Sequence, residues 1–145
     1  MIMKNLFLIL LVFGLTASAQ DDKREQIKSL KTAFITTELS LTSDEAAKFW
    51  PVYNAFDEKQ FELKHQKMRA LGKKLDAMDA MTDKEALALI NQMEDYENEL
   101  FQNRRKLVSS LKTILSPVKI LKLKKAEDDF NRKLLRQYKE KGPRK

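Results

Sequence analysis

The 145-residue chain contains no cysteine, one histidine, three glycines and three prolines. Without cysteine it can form neither disulfides nor thiolate metal sites, and thiol catalysis is excluded. A zinc site usually needs three or four suitable protein ligands, so the single histidine, His65, does not predict one. So few turn-forming residues are typical of a helical protein.

Charged residues are abundant instead, at 34% of the chain with a net charge of +7. A net positive charge can indicate nucleic-acid binding. Here, however, acidic and basic residues are mixed along the helix surfaces, as on ordinary solvent-exposed helices. No nucleophile or acid–base pair stands out as an activated catalytic group. We therefore expect no enzyme activity, no cofactor, no specific metal and no nucleic-acid partner.

The N-terminus predicts export. Lys4 precedes an apolar run from Leu6 to Leu15, about the length of a signal-peptide core and too short to span a membrane. Small residues at 17–19 predict cleavage between Ala19 and Gln20. No cysteine follows, so a lipid anchor is not expected. We predict a signal peptide at 1–19, a single all-helical domain at 20–145, and a periplasmic location.

Helix starts are the clearest local signals in the mature chain. Thr42 with Glu45, and Thr82 with Glu85, each match a capping box, in which the two residues bond to each other's backbone N–H. Ser116 before Pro117 predicts a third start, because proline suits the first helical position. With the apolar residues that precede two of the caps, the predicted capping residues are Leu41, Thr42, Glu45, Thr82, Glu85, Leu115, Ser116 and Pro117.

Apolar spacing predicts four helices, at about 22–38, 43–78, 83–115 and 117–140. In the third helix, Ile90 falls on the main apolar stripe and Leu89 flanks it. Pro51 lies well inside the second helix, where it should kink that helix or split it near Trp50. The aromatic cluster of Phe49, Trp50, Tyr53 and Phe56 is expected to pack in the core.

Helix length indicates an elongated arrangement. A helix of about 36 residues would be roughly 54 Å long, whereas a compact globule of this size is about 36 Å across. The second and third helices are therefore expected to form a long central α-hairpin. Such a thin layer of helices leaves apolar surface open, and we expect a second copy or a client to cover it.

The residues at 41–45 (LTSDE) and 115–119 (LSPVK), each before a helix, resemble the paired LTxxQ motifs of the Spy/CpxP family of exported envelope proteins. The segment at 49–54 (FWPVYN) is similar to a branch of that family often labelled as sensors of ECF-type sigma factors. Glu45 and Lys119 stand where the family has glutamine. A cation at the position of Lys119 opposes the helix dipole.

The resemblance implies a cradle-shaped homodimer that binds unfolded proteins without ATP, as an envelope-stress chaperone. Its alternative implication is a regulatory accessory protein that binds a membrane stress-signalling partner. Basic clusters on three helices fit the chaperone function, since they attract acidic partners while nearby apolar side chains hold clients. For any one of these cations, ordinary solvent exposure is the more common role. The candidate client surface comprises Lys64, Lys67, Met68, Arg69, Lys73, Arg104, Arg105, Lys112, Lys122 and Lys125.

Overall fold

A computed structural model describes residues 22–141, so the predicted signal peptide and cleavage site lie outside the described residues. Within that range there is no β-strand, and the chain is helical except for short turns. The helices are α1 (22–39), α2 (Ser43–Glu62), α3 (Met68–Asp76), α4 (Asp83–Leu111) and α5 (Pro117–Lys141). A π-helical segment, Leu63–Lys67, joins α2 to α3, and a 3₁₀ turn, Met78–Ala80, follows α3. The predicted all-α fold with a long central hairpin is confirmed.

Capping chemistry sets the helix starts as predicted. The Thr42 hydroxyl accepts from the Glu45 N–H at 3.1 Å, and the Glu45 carboxylate accepts from the Thr42 N–H at 3.0 Å. Thr82 caps α4 by accepting from the Glu85 N–H at 3.2 Å. The second capping box is incomplete, however, because the Glu85 side chain is exposed to solvent and does not bond back to Thr82.

The third start also forms as predicted. The Ser116 hydroxyl accepts from the Lys119 N–H at 3.3 Å, and Pro117 is the first residue of α5. The helix before it ends earlier than expected, at Leu111 rather than 115. Residues 112–115 form turns instead, in which the Thr113 hydroxyl donates to the Ser110 carbonyl at 2.8 Å.

Pro51 does not split the second helix, since α2 runs through it without interruption. Proline removes one backbone hydrogen bond. The buried rings of Phe49 and Tyr53 on either side of it keep this part of the chain helical. The irregularity falls later, at Leu63–Lys67, where the Met68 N–H bonds to the Leu63 carbonyl five residues back. Sequence reasoning missed this π segment.

The chain divides into two compact units. One spans Leu41–Ile120 and contains α2, α3, α4 and the first residues of α5. In this unit α2, the π segment and α3 pack along α4 as an antiparallel hairpin. Buried aromatic and leucine side chains form its core: Phe49, Tyr53, Phe56, Leu63, Leu89, Leu107, Leu111 and Leu115. Of the four aromatic residues predicted to pack in the core, Phe49, Tyr53 and Phe56 are buried as expected, whereas Trp50 is half-buried.

The other unit contains α1 and α5 from Leu121 onward. The rings of Phe34 and Phe130 lie 5.8 Å apart, and Lys23 lies over the Tyr138 ring at 5.0 Å. Because position rises along α1 as it falls along α5, these two helices run antiparallel. Ile35, Leu39, Leu123, Ala126 and Phe130 are the buried hydrophobic residues of this unit. The single domain and the dimer remain predictions. No helix within residues 22–141 is long and apolar enough to cross a membrane.

Candidate functional site

One side of the hairpin carries a row of polar contacts between its helices. Asn103 donates to the Phe56 carbonyl at 3.2 Å and to the Gln60 side chain at 3.0 Å. Further along, Lys67 bonds to Glu99 at 2.5 Å and Lys74 bonds to Gln92 at 2.8 Å. We call these pairs the polar seam.

The polar seam fixes the register of the hairpin. Lys67 and Lys74 are seven residues apart, the repeat that keeps side chains on the contact line of two packed helices. Glu99 accepts its bond from Lys67, and this bond together with the Lys59 charge holds the pKa of the Glu99 carboxyl below its usual value. At neutral pH Glu99 is therefore ionised, and the seam pairs a carboxylate with an ammonium group.

The opposite flank of the hairpin exposes large apolar side chains. By helical periodicity, Met68 and Leu75 of α3 lie away from the polar seam, as do Leu87, Ile90 and Phe101 of α4. Their exposed fractions run from 42% for Leu75 to 59% for Leu87. We call these five residues the apolar edge. Since Lys74 pairs with Gln92, Leu75 and Ile90 lie at nearly the same height on neighbouring helices.

The apolar edge corrects one sequence expectation. Apolar spacing predicts Ile90 on the main stripe of the helix and Leu89 beside it, but Leu89 is buried at 5% exposure and Ile90 is 51% exposed. Near the tip of the hairpin α4 packs against α3, and α3 itself buries no residue. A single neighbouring helix covers only a narrow stripe of α4, so the side chain next to that stripe stays in solvent.

The predicted client residues divide by what they contact. Lys64, Arg69 and Lys73 are exposed on the π segment and α3, and none forms an ion pair within residues 22–141. Met68, between them, belongs to the apolar edge. The structure thus places these three cations on the same short stretch as an exposed apolar side chain.

The other cations of the predicted surface mostly have local partners. Lys67 is paired in the polar seam. The Arg104 guanidinium lies over the Phe56 ring at 4.6 Å and that of Arg105 over Phe101 at 5.8 Å. Lys112 is exposed just beyond α4. Lys122 and Lys125 belong to the other compact unit.

Lys125 is one of these paired cations, and its partner changes its pKa. It bonds to Asp129 one helical turn away at 2.8 Å, and this bond raises the pKa of Lys125 and lowers that of Asp129. The pair is exposed and lies within one helix, which makes it an ordinary surface contact. Lys125 is therefore less available to a partner than Lys64, Arg69 or Lys73.

The two residues that depart from the LTxxQ pattern contact each other. Lys119, at the start of α5, bonds to the Glu45 carboxylate at 2.6 Å. The bond from Lys119, followed by that from the Thr42 N–H, lowers the pKa of Glu45 below its usual 4.5. A cation near a helix N-terminus is unfavourable for its own helix. Here its side chain reaches a carboxylate at the start of α2, which offsets that effect.

A groove that sequence reasoning missed runs between α2 and α4 on the same side as the polar seam. It has a volume of about 700 Å³. The α2 wall carries Pro51, Val52, Ala55 and Lys59 at helical spacing, and Lys106 lies on the α4 wall. The remaining lining residues are Phe56, Asn98, Glu99, Gln102, Asn103, Leu107 and Ser110. Only the register between the helices brings these residues together, so no local sequence signal could have found the groove.

His65 sits beside the Phe61 ring, with ring centroids 4.1 Å apart. Within residues 22–141, no group of three or more histidine, aspartate or glutamate side chains is arranged to hold a metal ion. No protein-family profile, curated protein or solved structure matches this chain.

Proposed function

We propose that this protein is an exported, ATP-independent chaperone-like binder of unfolded or acidic clients, and that the apolar edge is where clients bind. The observation that carries the proposal is the exposure of five large apolar side chains along one flank of the hairpin. Large exposed apolar patches on soluble proteins mark interaction sites.

Nearby charge supports an acidic or unfolded client. Lys64, Arg69 and Lys73 lie on the same helical stretch as Met68 and Leu75, without ion-pair partners within residues 22–141. Unpaired cations accelerate encounter with acidic segments at long range. Flexible side chains such as methionine then adapt to apolar segments of varied shape. Together these features favour a surface that holds many sequences loosely.

The Spy/CpxP resemblance supports the same function. Positions 45 and 119 correspond to the glutamines of the two motifs, and in this chain they meet as an ion pair. A contact between the two motifs is what we expect if they act together to position the hairpin. The cradle-shaped homodimer implied by the resemblance is part of the proposal, and light scattering on residues 20–145 would measure it.

The test is suppression of client aggregation by residues 20–145 without ATP, at low and moderate salt. The triple variant Lys64→Gln, Arg69→Gln, Lys73→Gln should lose the salt-sensitive part of the suppression. Its matched control removes three exposed lysines elsewhere, with Lys48→Gln, Lys124→Gln and Lys139→Gln. Equal behaviour of the two variants would refute the role assigned to the three cations. No suppression by the folded wild-type protein would refute the chaperone function.

The alternative from the FWPVYN resemblance is a regulatory protein with one dedicated membrane partner. In this chain Phe49 and Tyr53 are buried at 0% and 1% exposure, so they form core rather than a partner surface. A pull-down from envelope extract separates the two functions. Many unrelated unfolded proteins in the eluate would support the chaperone. A single enriched signalling protein, with no aggregation suppression, would support the regulator.

A further inference from the structure

The groove between α2 and α4 takes no part in the proposed binding of clients on the apolar edge. It lies on the opposite flank of the hairpin from the apolar edge, beside the polar seam. Its volume of about 700 Å³ falls within the range of small-molecule sites in proteins. An unfolded segment needs an extended open surface, whereas a space of this size suits one small ligand.

Apolar groups form much of the groove. Pro51, Val52 and Ala55 on α2 face it, together with Phe56 and Leu107, both of which are otherwise buried. Such a lining gains free energy when it removes an aliphatic chain from water. The ligand should therefore have an apolar body.

The charged groups of the groove select the sign of the ligand. Lys106 forms no ion pair within residues 22–141. Lys59 reaches Glu62 only at 4.0 Å, and both of those side chains are about half exposed. The one carboxylate in the lining, Glu99, is already bonded to Lys67. Lys106 is therefore the groove cation that no described carboxylate pairs with, and Lys59 adds a second positive charge that Glu62 and Glu99 offset in part.

The register of the hairpin brings Lys59 and Lys106 to similar heights on the two facing walls of the groove. Asn103 bonds to Gln60, so Lys59 lies close to the same height, and Lys106 is less than one turn further along α4. Two ammonium groups on facing walls can both approach a single carboxylate. The amide of Asn103 is already bonded to Phe56 and Gln60, and among the other lining residues only Lys59 and Lys106 carry a positive charge.

We propose that this groove binds a single-chain amphiphile with one carboxylate, such as a free fatty acid. The alkyl chain lies against Pro51, Val52, Ala55 and Leu107, and the carboxylate lies between Lys59 and Lys106. This assignment is independent of the chaperone function, since it uses neither the apolar edge nor the cations of α3.

Calorimetric titration of folded residues 20–145 with laurate, dodecanol and acetate tests the assignment. All three are used below the concentration at which laurate aggregates. Laurate should bind at one site per chain and up to about fivefold more tightly than dodecanol, since an exposed ion pair contributes up to about that factor. Acetate should show no binding. Equal affinity for laurate and dodecanol, or no binding of either, would overturn the proposal.

Paired variants locate the site. Lys106→Gln should lower laurate affinity toward that of dodecanol, whereas Lys48→Gln, at an exposed position of α2 outside the groove, should leave it unchanged. Ala55→Phe should fill the groove and weaken both ligands, while Ala47→Phe, an exposed alanine outside the groove, should weaken neither. Ala55 is exposed, so the larger side chain is compatible with folding, which circular dichroism verifies. Laurate binding that survives both Lys106→Gln and Ala55→Phe would place the ligand elsewhere and refute the site.

Discussion

Asn103 should stabilise the hairpin more than any other polar residue of the seam. Its side-chain amide donates two hydrogen bonds across the helix pair, to the Phe56 carbonyl and to the Gln60 side chain. A protein hydrogen bond contributes about 0.5–1.5 kcal/mol net. Because Asn103 is half-buried, water replaces part of what is lost, and we expect Asn103→Ala to cost about 1–2 kcal/mol.

Asn98→Ala is the matched control. Asn98 lies on the same helix and lines the same groove, but it is exposed and makes no hydrogen bond within residues 22–141. Both substitutions replace asparagine by alanine in a helix interior, so the gain in helix propensity is the same for the two variants. The difference between them therefore isolates the contacts of Asn103.

Urea denaturation followed by circular dichroism measures that difference. The midpoint for Asn103→Ala should fall below that for Asn98→Ala with an unchanged m-value. In thermal unfolding the gap should be about 3–10 °C for a chain of this size. If Asn103→Ala is as stable as Asn98→Ala, the polar seam does not hold the hairpin in register, and the placement of both the groove and the apolar edge loses its basis.

Three further predictions concern single positions. Gly72→Ala should stabilise the protein by up to about 1 kcal/mol in urea denaturation, since alanine is the better helix former and, apart from chain neighbours and the backbone of its own helix, no atom lies within 4 Å of the added methyl group. Thr42→Ala should cost about 1 kcal/mol in the same assay by removing the α2 cap, and an unchanged midpoint would contradict that role. Glu45→Gln should be less stable than wild type at neutral pH. Because the pKa of Glu45 is lowered in the folded state, its charge contributes above the usual 4.5 and is lost as the pH falls through the lowered value. The two proteins should therefore converge in acid, and a gap that persists there would contradict the ion pair with Lys119.

Helix positions could be predicted closely because their signals are local. Thr42, Thr82 and Ser116 each bond to backbone N–H groups within the next three residues, so chain sequence alone specifies those starts. The burial of Phe49 and Tyr53 was expected from the clustering of aromatic residues in one short stretch of the chain. These features depend on neighbours in sequence, and they were predicted correctly.

The features that sequence reasoning missed depend on the register between helices. The contact of Glu45 with Lys119 joins residues far apart in sequence, and a cation at that position looked unfavourable when α5 was considered alone. Whether Leu89 or Ile90 is buried depends on which face of α4 meets α3. The π segment at Leu63–Lys67 rotates the side chains that follow it around the helix axis. A prediction based on the regular spacing of apolar residues in an α-helix does not include this rotation.

The candidate surface was predicted in outline only. Charge counting identified Lys64, Arg69 and Lys73, which remain unpaired within residues 22–141. It could not distinguish them from Lys67, which the polar seam neutralises. Apolar spacing places Ile90 on the packing stripe of its helix, whereas the structure exposes it on the apolar edge that carries the proposed function.

The most direct test of the proposed function is client aggregation in the presence of an apolar-edge variant. Leu75→Ser with Ile90→Ser removes two exposed side chains at the same height of the hairpin. The control, Leu121→Ser with Leu135→Ser, removes two exposed leucines of α5. The account predicts that the first variant, folded and without ATP, loses aggregation suppression while the control retains it. Full suppression by the first variant would contradict binding at the apolar edge.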